Sequence, residues 1–272
     1  MVHFVCEGGC ALEERRQTVF AEERKQQILE LISKNQKIVV PELCNYFGVS
    51  PSTIRNDLRV LQENGLITRT HGGAIRNSKV SLEPPPVTKQ TQMLRQKEAI
   101  ARAAVDLVDD GDIIAIGSGT TTLEFARKLI HKEKLTVVLN DIRLASFLEE
   151  HTNFTLFMLG GVLRNGFHYV NTAGTPLPRV SLDKLFFTCN GLNAAMGATV
   201  PDFHLAANVA AILERSSQAV LLCDSSKLGS VTFAQIAPLD QLDTIVIDSD
   251  ADPDDLRELE AQGAELIVAP VE

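Results

Sequence analysis

Apolar positions along the 272-residue chain show two textures. From Ala21 a helical period puts Ile28, Leu31 and Ile32 on one face. A second short helix is predicted over about Pro41–Phe47, with Leu43 and Phe47 four residues apart and Gly48 as its stop. Ser50 and Pro51 open a third, as N-cap and first helical residue, and Gly65 ends it. Leu66–Ile75 reads as two short strands around Gly72-Gly73. After about Met93, short apolar runs alternate with helical stretches: DIIAI (112–116), LTVVL (135–139), FTLFML (154–159), KLFFTC (184–189), AVLLC (219–223), TIVI (244–247) and LIVA (266–269). Most lack polar alternation, as strands buried on both faces of a parallel sheet do. Helical patterns such as Thr121–Ile130 and Ile142–Glu150 suit crossover helices, so the class is α/β.

Residues 77–92, NSKVSLEPPPVTKQTQ, contain three consecutive prolines and read as an extended polyproline spacer. The predicted organisation is an extension over 1–20, a helical unit over 21–76, this linker, and an α/β unit over 93–272.

Composition narrows the class. Hydrophobic residues at 44% and charged residues at 22% are ordinary globular values, which excludes a disordered chain, collagen and a coiled coil. Aromatics are only 5% and Trp is absent, so the core must be mainly aliphatic. The net charge of −9 divides unevenly: +3 over residues 21–80 and −11 over 81–272, which suggests two jobs. No run reaches the ~18 apolar residues of a membrane span, and the N-terminus lacks a secretory pattern. Five cysteines, an odd number, suggest no disulfide framework, and a reduced cytoplasm is the expected compartment. Cys44, Cys189 and Cys223 read as small core fillers. Cys6 and Cys10 with His3 could ligate a metal, but no second ligand pair follows at zinc-site spacing. A frayed extension is the plainer reading, and no metal or other cofactor is expected. His131, His151, His168 and His204 form no metal or triad spacing.

The third helix, SPSTIRNDLRVLQENG, carries the first chemistry. Ile54, Leu58 and Leu61 form a buried face, while Ser52, Arg55, Asn56 and Arg59 fall on the opposite one. Arg pairs bidentately with guanine edges and Asn with adenine. Ser50, Ser52, Thr53 and the helix N-terminus can hold phosphate oxygens. With the preceding helix and the tight turn at Gly48, this makes a helix-turn-helix whose third helix reads the major groove of double-stranded DNA. Arg69, His71 and Arg76 border the Gly72-Gly73 hairpin, a wing able to lie on the backbone or in the minor groove. A small three-helix bundle with a solvated charged face is the plain alternative.

The second constellation is AIGSGTTTLEFARKL, residues 115–129. A strand runs into Gly117, Ser118, Gly119, Thr120 and Thr121, and a helix follows. Glycines let backbone N–H groups approach a ligand, and hydroxyls at a helix start suit a phosphate. A dinucleotide fingerprint competes, with Asp141 about where a ribose contact would fall, but Thr122 stands at its third glycine. A structural turn is the third possibility. Asn140, then Gly160, Gly161 and Arg164, then Asp224 and Lys227 follow three of the strands at their carboxyl ends, where α/β sheets collect ligands.

Residues 22–75 closely resemble the winged helix-turn-helix of the DeoR family of bacterial transcriptional regulators, through the opening ER, VSPSTIRNDL, LQENGLI and RTHGGA. Asn56 stands where the family usually has a second Arg. The resemblance continues through GDIIAIGSGTTT, LTVVLN, GGVLR and DSSK into the family's effector domain, which is similar to ribose-5-phosphate isomerase. Gly117 replaces the family's usual Asp, and LAANV (205–209) replaces a stretch with an acid and a Lys. The resemblance implies a homo-oligomeric regulator, a repressor by family habit, with no enzyme activity and no membrane association. Its operator affinity would answer to a phosphorylated sugar. A working sugar-phosphate isomerase or transferase with an added DNA module is the alternative, although no carboxylate base can be placed near a sugar carbon.

Overall fold

The computed structural model describes residues 24–25, 27–28, 31–32, 37–63, 67–70, 72–76, 86–164, 166–172, 179–263 and 265–272. The 1–20 extension, Gly65, His71 and the spacer residues 77–85 lie outside the described residues. The chain divides into two compact units, 1–78 and 79–272.

In the first unit, Arg24, Lys25, Gln27, Ile28, Leu31 and Ile32 are helical. Strand β1 (Lys37–Val39) runs directly into α1 (Val40–Phe47), which Gly48 stops in the left-handed conformation at φ 64°. Next come α2 (Pro51–Glu63), β2 (Ile67–Thr70) and β3 (Gly73–Arg76). Ile28, Ile32, Leu43, Ile54, Leu58, Leu61 and Ile67 form one buried cluster. β3 pairs antiparallel with β2, as the hairpin pattern predicts, and on its other side with β1. β1 is not legible in the sequence: three residues merging into a helix show no period of their own. It also accounts for Gly73, since a Cβ there would lie 2.0 Å from the Ile38 carbonyl oxygen.

The second unit begins with α3 (Pro86–Thr91) and α4 (Leu94–Val105). Helix α3 replaces the last part of the expected extended spacer. A proline is acceptable at a first helical position, where its missing N–H has no partner to lose. Seven parallel strands follow: β4 (Ile113–Ile116), β5 (Thr136–Leu139), β6 (Thr155–Met158), β9 (Leu182–Phe187), β12 (Ser216–Cys223), β14 (Thr244–Asp248) and β15 (Glu265–Ala269). Their order is β15-β14-β12-β9-β4-β5-β6, and each coincides with one of the seven apolar runs. Crossover helices α5 (Thr120–Lys128) and α6 (Ile142–His151) pack with α4 on one face, through Ile100, Phe125 and Leu144. Helices α7 (Phe203–Leu213) and α8 (Pro253–Glu260) cover the other, through Val209, Ile212 and Leu259. Adjacent residues of one strand, such as Ile114 and Ala115 or Phe186 and Phe187, enter opposite clusters, hence the lack of polar alternation. β6 differs: as the edge strand it leaves Phe157 44% exposed. Short additions outside the main sheet have no clear apolar signature. They are the β7 (Val162–Leu163) and β8 (Val170–Asn171) pair and the antiparallel β10 (Gly191–Asn193), β11 (Gly197–Val200) and β13 (Ala234–Ala237).

Chain order reverses between β4 and β9, with later strands added on one side and β5 and β6 on the other. The carboxyl ends of strands at such a switch point splay apart and leave a crevice.

Candidate functional site

The first unit presents the amino end of α2. The Ser50 hydroxyl accepts from the Thr53 N–H at 3.2 Å and lies 2.7 Å and 2.8 Å from the hydroxyls of Ser52 and Thr53. Three hydroxyls are thus gathered at one helix start. Arg55, Asn56 and Arg59 are exposed, and Arg59 donates to Asn56 Oδ1 at 2.9 Å. The groove beside them is lined by Arg55, by Asn45 of α1, and by Arg69, Thr70 and Gly72 of the hairpin. The helix is anchored from behind: Asp57 accepts from Arg24 Nε at 2.6 Å and from its second terminal nitrogen at 3.3 Å, both residues being buried.

In the second unit a cleft opens at the switch point. Ser118, Gly119, Thr120 and Thr121 line it from the turn between β4 and α5. Gly119 is extended at φ 164°, and a Cβ there would lie 2.4 Å from Thr188 Cγ2, so the backbone reaches this wall only without a side chain. Thr188, Cys189 and Asn190 line it beyond β9, and Asp224, Ser226 and Lys227 beyond β12. Asp224 is buried, accepts from the Ser226 hydroxyl and lies 3.9 Å from Lys227 Nζ. Lys97 of α4 is only 4% exposed, and its Nζ donates to the Lys89 and Gln92 carbonyls at 2.5 Å each. Burial, only partly offset by the attraction of Asp224, lowers its pKa to about 8. Phe167 and Tyr169 supply an aromatic wall. Tyr169 donates to Asp202 at 3.0 Å. Arg164 pairs with that carboxylate at 2.8 Å, donates to the Tyr169 hydroxyl, and lies 3.9 Å from the Phe167 ring centroid.

Two family profiles match the chain: the DeoR-like helix-turn-helix domain over residues 24–80 and the DeoR C terminal sensor domain over residues 92–249. The chain belongs to the DeoR family. It is 36% identical over 247 residues to the HTH-type transcriptional regulator GlpR of Haloferax volcanii, covering 90% of this chain and 96% of that one. It is 31% identical over 232 residues to the lactose phosphotransferase system repressor of Staphylococcus epidermidis, covering 84% and 92%. A distant likeness in shape, at TM-score 0.40 and 17% identity, links 50% of the chain to 55% of a ribose 5-phosphate isomerase from Methanocaldococcus jannaschii. As a DeoR-family member the protein is a DNA-binding transcriptional regulator, and its sensor domain implies a small-molecule effector.

Within this DeoR-family sensor domain, Ser118, Gly119, Thr120, Thr121, Asp224 and Lys227 come together at the cleft, and the other predicted effector residues do not. Gly117 stays in the sheet, its N–H bonded to the Phe186 carbonyl at 2.8 Å. Asn140 is buried, its amide donating to the Val170 carbonyl at 2.9 Å. Gly160 and Gly161 belong to the β7–β8 excursion, where a Cβ on Gly161 would lie 2.1 Å from the Asn171 carbonyl oxygen. Arg164 props the aromatic wall from behind. A strand end alone could not separate these cases, because its residues point either to the crevice or into the neighbouring element.

Asp141, the ribose contact of the dinucleotide alternative, is fully buried. One oxygen accepts from the N–H groups of Arg143 and Leu144, at 2.8 Å and 3.3 Å, and the other from the Ser118 hydroxyl at 2.7 Å. It is a helix cap that fixes the β4–α5 turn.

Sequence reasoning missed Asn45, Lys89, Lys97, Arg143, Phe167 and Tyr169. Only Lys97 left a signal: a charge on the helical face shared with Ile100, Ala101 and Ala104. The expected core fillers Cys189 and Cys223 are buried with sulfurs 3.9 Å apart. That thiol contact together with burial pushes the Cys223 pKa well up. Cys6, Cys10 and His3 lie outside the described residues, among which no group of three His, Cys, Asp or Glu could hold a metal. No helix among the described residues is long and apolar enough to cross a membrane.

Proposed function

We propose that this regulator represses genes of carbohydrate metabolism, and that a phosphorylated sugar bound in the sensor cleft controls its hold on the operator. The observation that carries the reading is the cleft itself. A Ser118-Gly119 turn whose glycine lets the backbone approach, two threonines at a helix start and the ammonium of Lys227 converge on one crevice in a chain that also bears a DNA-reading helix. Such a turn with nearby cations suits a phosphate. The names of relatives, among them a lactose phosphotransferase system repressor and a regulator called FruR in Bacillus subtilis, support the sugar connection.

In this reading Arg55, Asn56 and Arg59 enter the major groove, with Ser52 and Thr53 on the backbone phosphates at the helix start. Ser50 holds those two hydroxyls in place. Arg69, His71 and Gly72 carry the wing, while Gly73 serves by letting β1 approach. A homo-oligomer contacts a repeated operator, and the effector acts through a coupling free energy between sites.

The test is fluorescence anisotropy of the chain on DNA from the promoter beside its own gene, with and without phosphorylated sugars. Salt-sensitive, site-selective binding that one sugar phosphate shifts at least about fivefold is expected. Site-selective binding that no sugar phosphate moves removes the effector assignment.

A further inference from the structure

We propose that Cys189 and Cys223 form an oxidation site in the wall of the sensor cleft, a dithiol that hydrogen peroxide closes to a reversible disulfide, tying the ends of β9 and β12 together. The inference goes beyond the sugar-phosphate reading and does not depend on it.

The two thiols meet at the carboxyl edge of the sheet. β9 and β12 are neighbouring parallel strands whose register pairs Phe187 with Leu221. Two residues further on in each segment come Cys189 and Cys223, and both side chains join the buried cluster that holds Phe187 and Leu221. Their sulfurs are 3.9 Å apart, and both thiols are free. Neighbouring strands lie ~4.8 Å apart, within the ~4.4–6.8 Å that a disulfide spans between Cα atoms, so strand spacing itself allows the bond.

The pair is asymmetric. Cys189 is 4% exposed and lines the cleft, whereas Cys223 is fully buried and does not line it. The thiol contact and burial hold the Cys223 proton on. Cys189 is therefore the sulfur that a small oxidant in the cleft meets, and Cys223 is the partner that resolves it. In the first step the Cys189 thiolate attacks one oxygen of hydrogen peroxide. The O–O bond breaks, Cys189 becomes a sulfenic acid, and the departing hydroxide leaves as water with the proton that the thiol released. The Cys223 sulfur then attacks the Cys189 sulfur. The S–O bond breaks, the S–S bond forms, and the second hydroxide takes the Cys223 proton as water. Two thiols are oxidised, and one peroxide is reduced to two waters.

What flanks the sulfurs connects this chemistry to the cleft. Thr188 and Asn190 stand on either side of Cys189, while Asp224, Ser226 and Lys227 follow Cys223, and all of them line the cleft. A disulfide joins these two walls covalently and removes their independent opening. In a reducing compartment the pair rests as thiols until an oxidant arrives.

The test exposes the full chain to hydrogen peroxide under native conditions, blocks free thiols with iodoacetamide and maps the peptides by mass spectrometry. A Cys189–Cys223 cross-link that dithiothreitol reverses is expected. In Cys223→Ala the cross-link is lost, and dimedone traps Cys189 as a sulfenic acid. Amide exchange in peptides over residues 188–190 and 224–227 slows about tenfold or more in the oxidised chain, with peptides over residues 51–63 unchanged. Recovery of both cysteines as free thiols overturns the inference, as does a cross-link that forms only in urea. Cys189 carried on to sulfonic acid, or joined to a different cysteine, also overturns it, and so does a Cys189–Cys223 bond that leaves exchange in the cleft walls unchanged. No sugar enters the experiment, so none of these outcomes bears on the sugar-phosphate reading.

Discussion

Replacing Asp57 with Ala should unsettle the DNA-reading helix from the inside. Asp57 is 3% and Arg24 7% exposed, and the guanidinium meets both carboxylate oxygens, at 2.6 Å and 3.3 Å. Removing the carboxylate takes away the two hydrogen bonds that it accepts from the shielded guanidinium, and breaking a buried pair from one side costs about 3–5 kcal/mol. Domain stabilities are about 5–15 kcal/mol, so the loss is a large share of what holds the first unit together. It acts locally: the pair ties the helical segment that contains Ile28 to the back of α2, whose front carries Arg55, Asn56 and Arg59. Hydrogen exchange over peptides spanning residues 51–63 of the full chain reads local opening directly. Protection there should fall by about two orders of magnitude or more, with the sensor peptides unchanged and operator binding weakened. The double change Arg24→Met, Asp57→Leu removes both charges and should recover most of the protection, because a well-packed apolar pair replaces a buried ion pair at little cost. A loss below about 1 kcal/mol in Asp57→Ala, the range of exposed pairs, would refute the reasoning, as would a double variant no better than the single one.

Three further outcomes follow from the same geometry. Arg55→Ala should weaken operator binding by about 1–3 kcal/mol and relax specificity at one base pair, measured by anisotropy on operator variants; unchanged affinity would remove its base contact. Gly119→Asp should abolish the effector response while sparing DNA binding, since it sets a negative charge on the turn proposed to hold the phosphate and a Cβ against Thr188 Cγ2; a normal response counts against that role of the turn. Lys97 has a folded pKa of about 8 against an ordinary 10.5, with Asp224, Lys227, Lys89 and Glu124 around it. Between those values the unfolded chain holds the extra proton, so the Lys97 contribution makes stability rise with pH across that window. Effector affinity should meanwhile fall above about pH 8 as the ammonium is lost, and Lys97→Met should flatten both profiles in thermal unfolding and calorimetry.

The seven sheet strands, the turn at Gly48, the Ser50 cap and the hairpin after α2 were legible along the chain because each is a local matter. A strand covered on both faces needs an unbroken apolar run, as in DIIAI and AVLLC, and a helix start needs a side-chain acceptor beside its orphan N–H groups. The cleft-lining turn of Ser118, Gly119, Thr120 and Thr121 was legible for the same reason, as glycines and hydroxyls where a strand meets a helix. Contacts between distant segments were decided only by the tertiary structure. Arg24 and Asp57 are 33 residues apart, and nothing along the chain marks either as the partner of the other. Lys97 and Arg143 reach one cleft because sheet order brings α4 and α6 to the same edge. Asn140, Gly161 and Arg164 sit at strand ends as the cleft-lining residues do, yet face hairpin and aromatic neighbours instead. Sequence determines the elements through short-range periodicity and capping. Which polar groups face the crevice and which are buried between elements depends on packing, because only the assembled neighbours decide where each backbone and side-chain donor finds its partner.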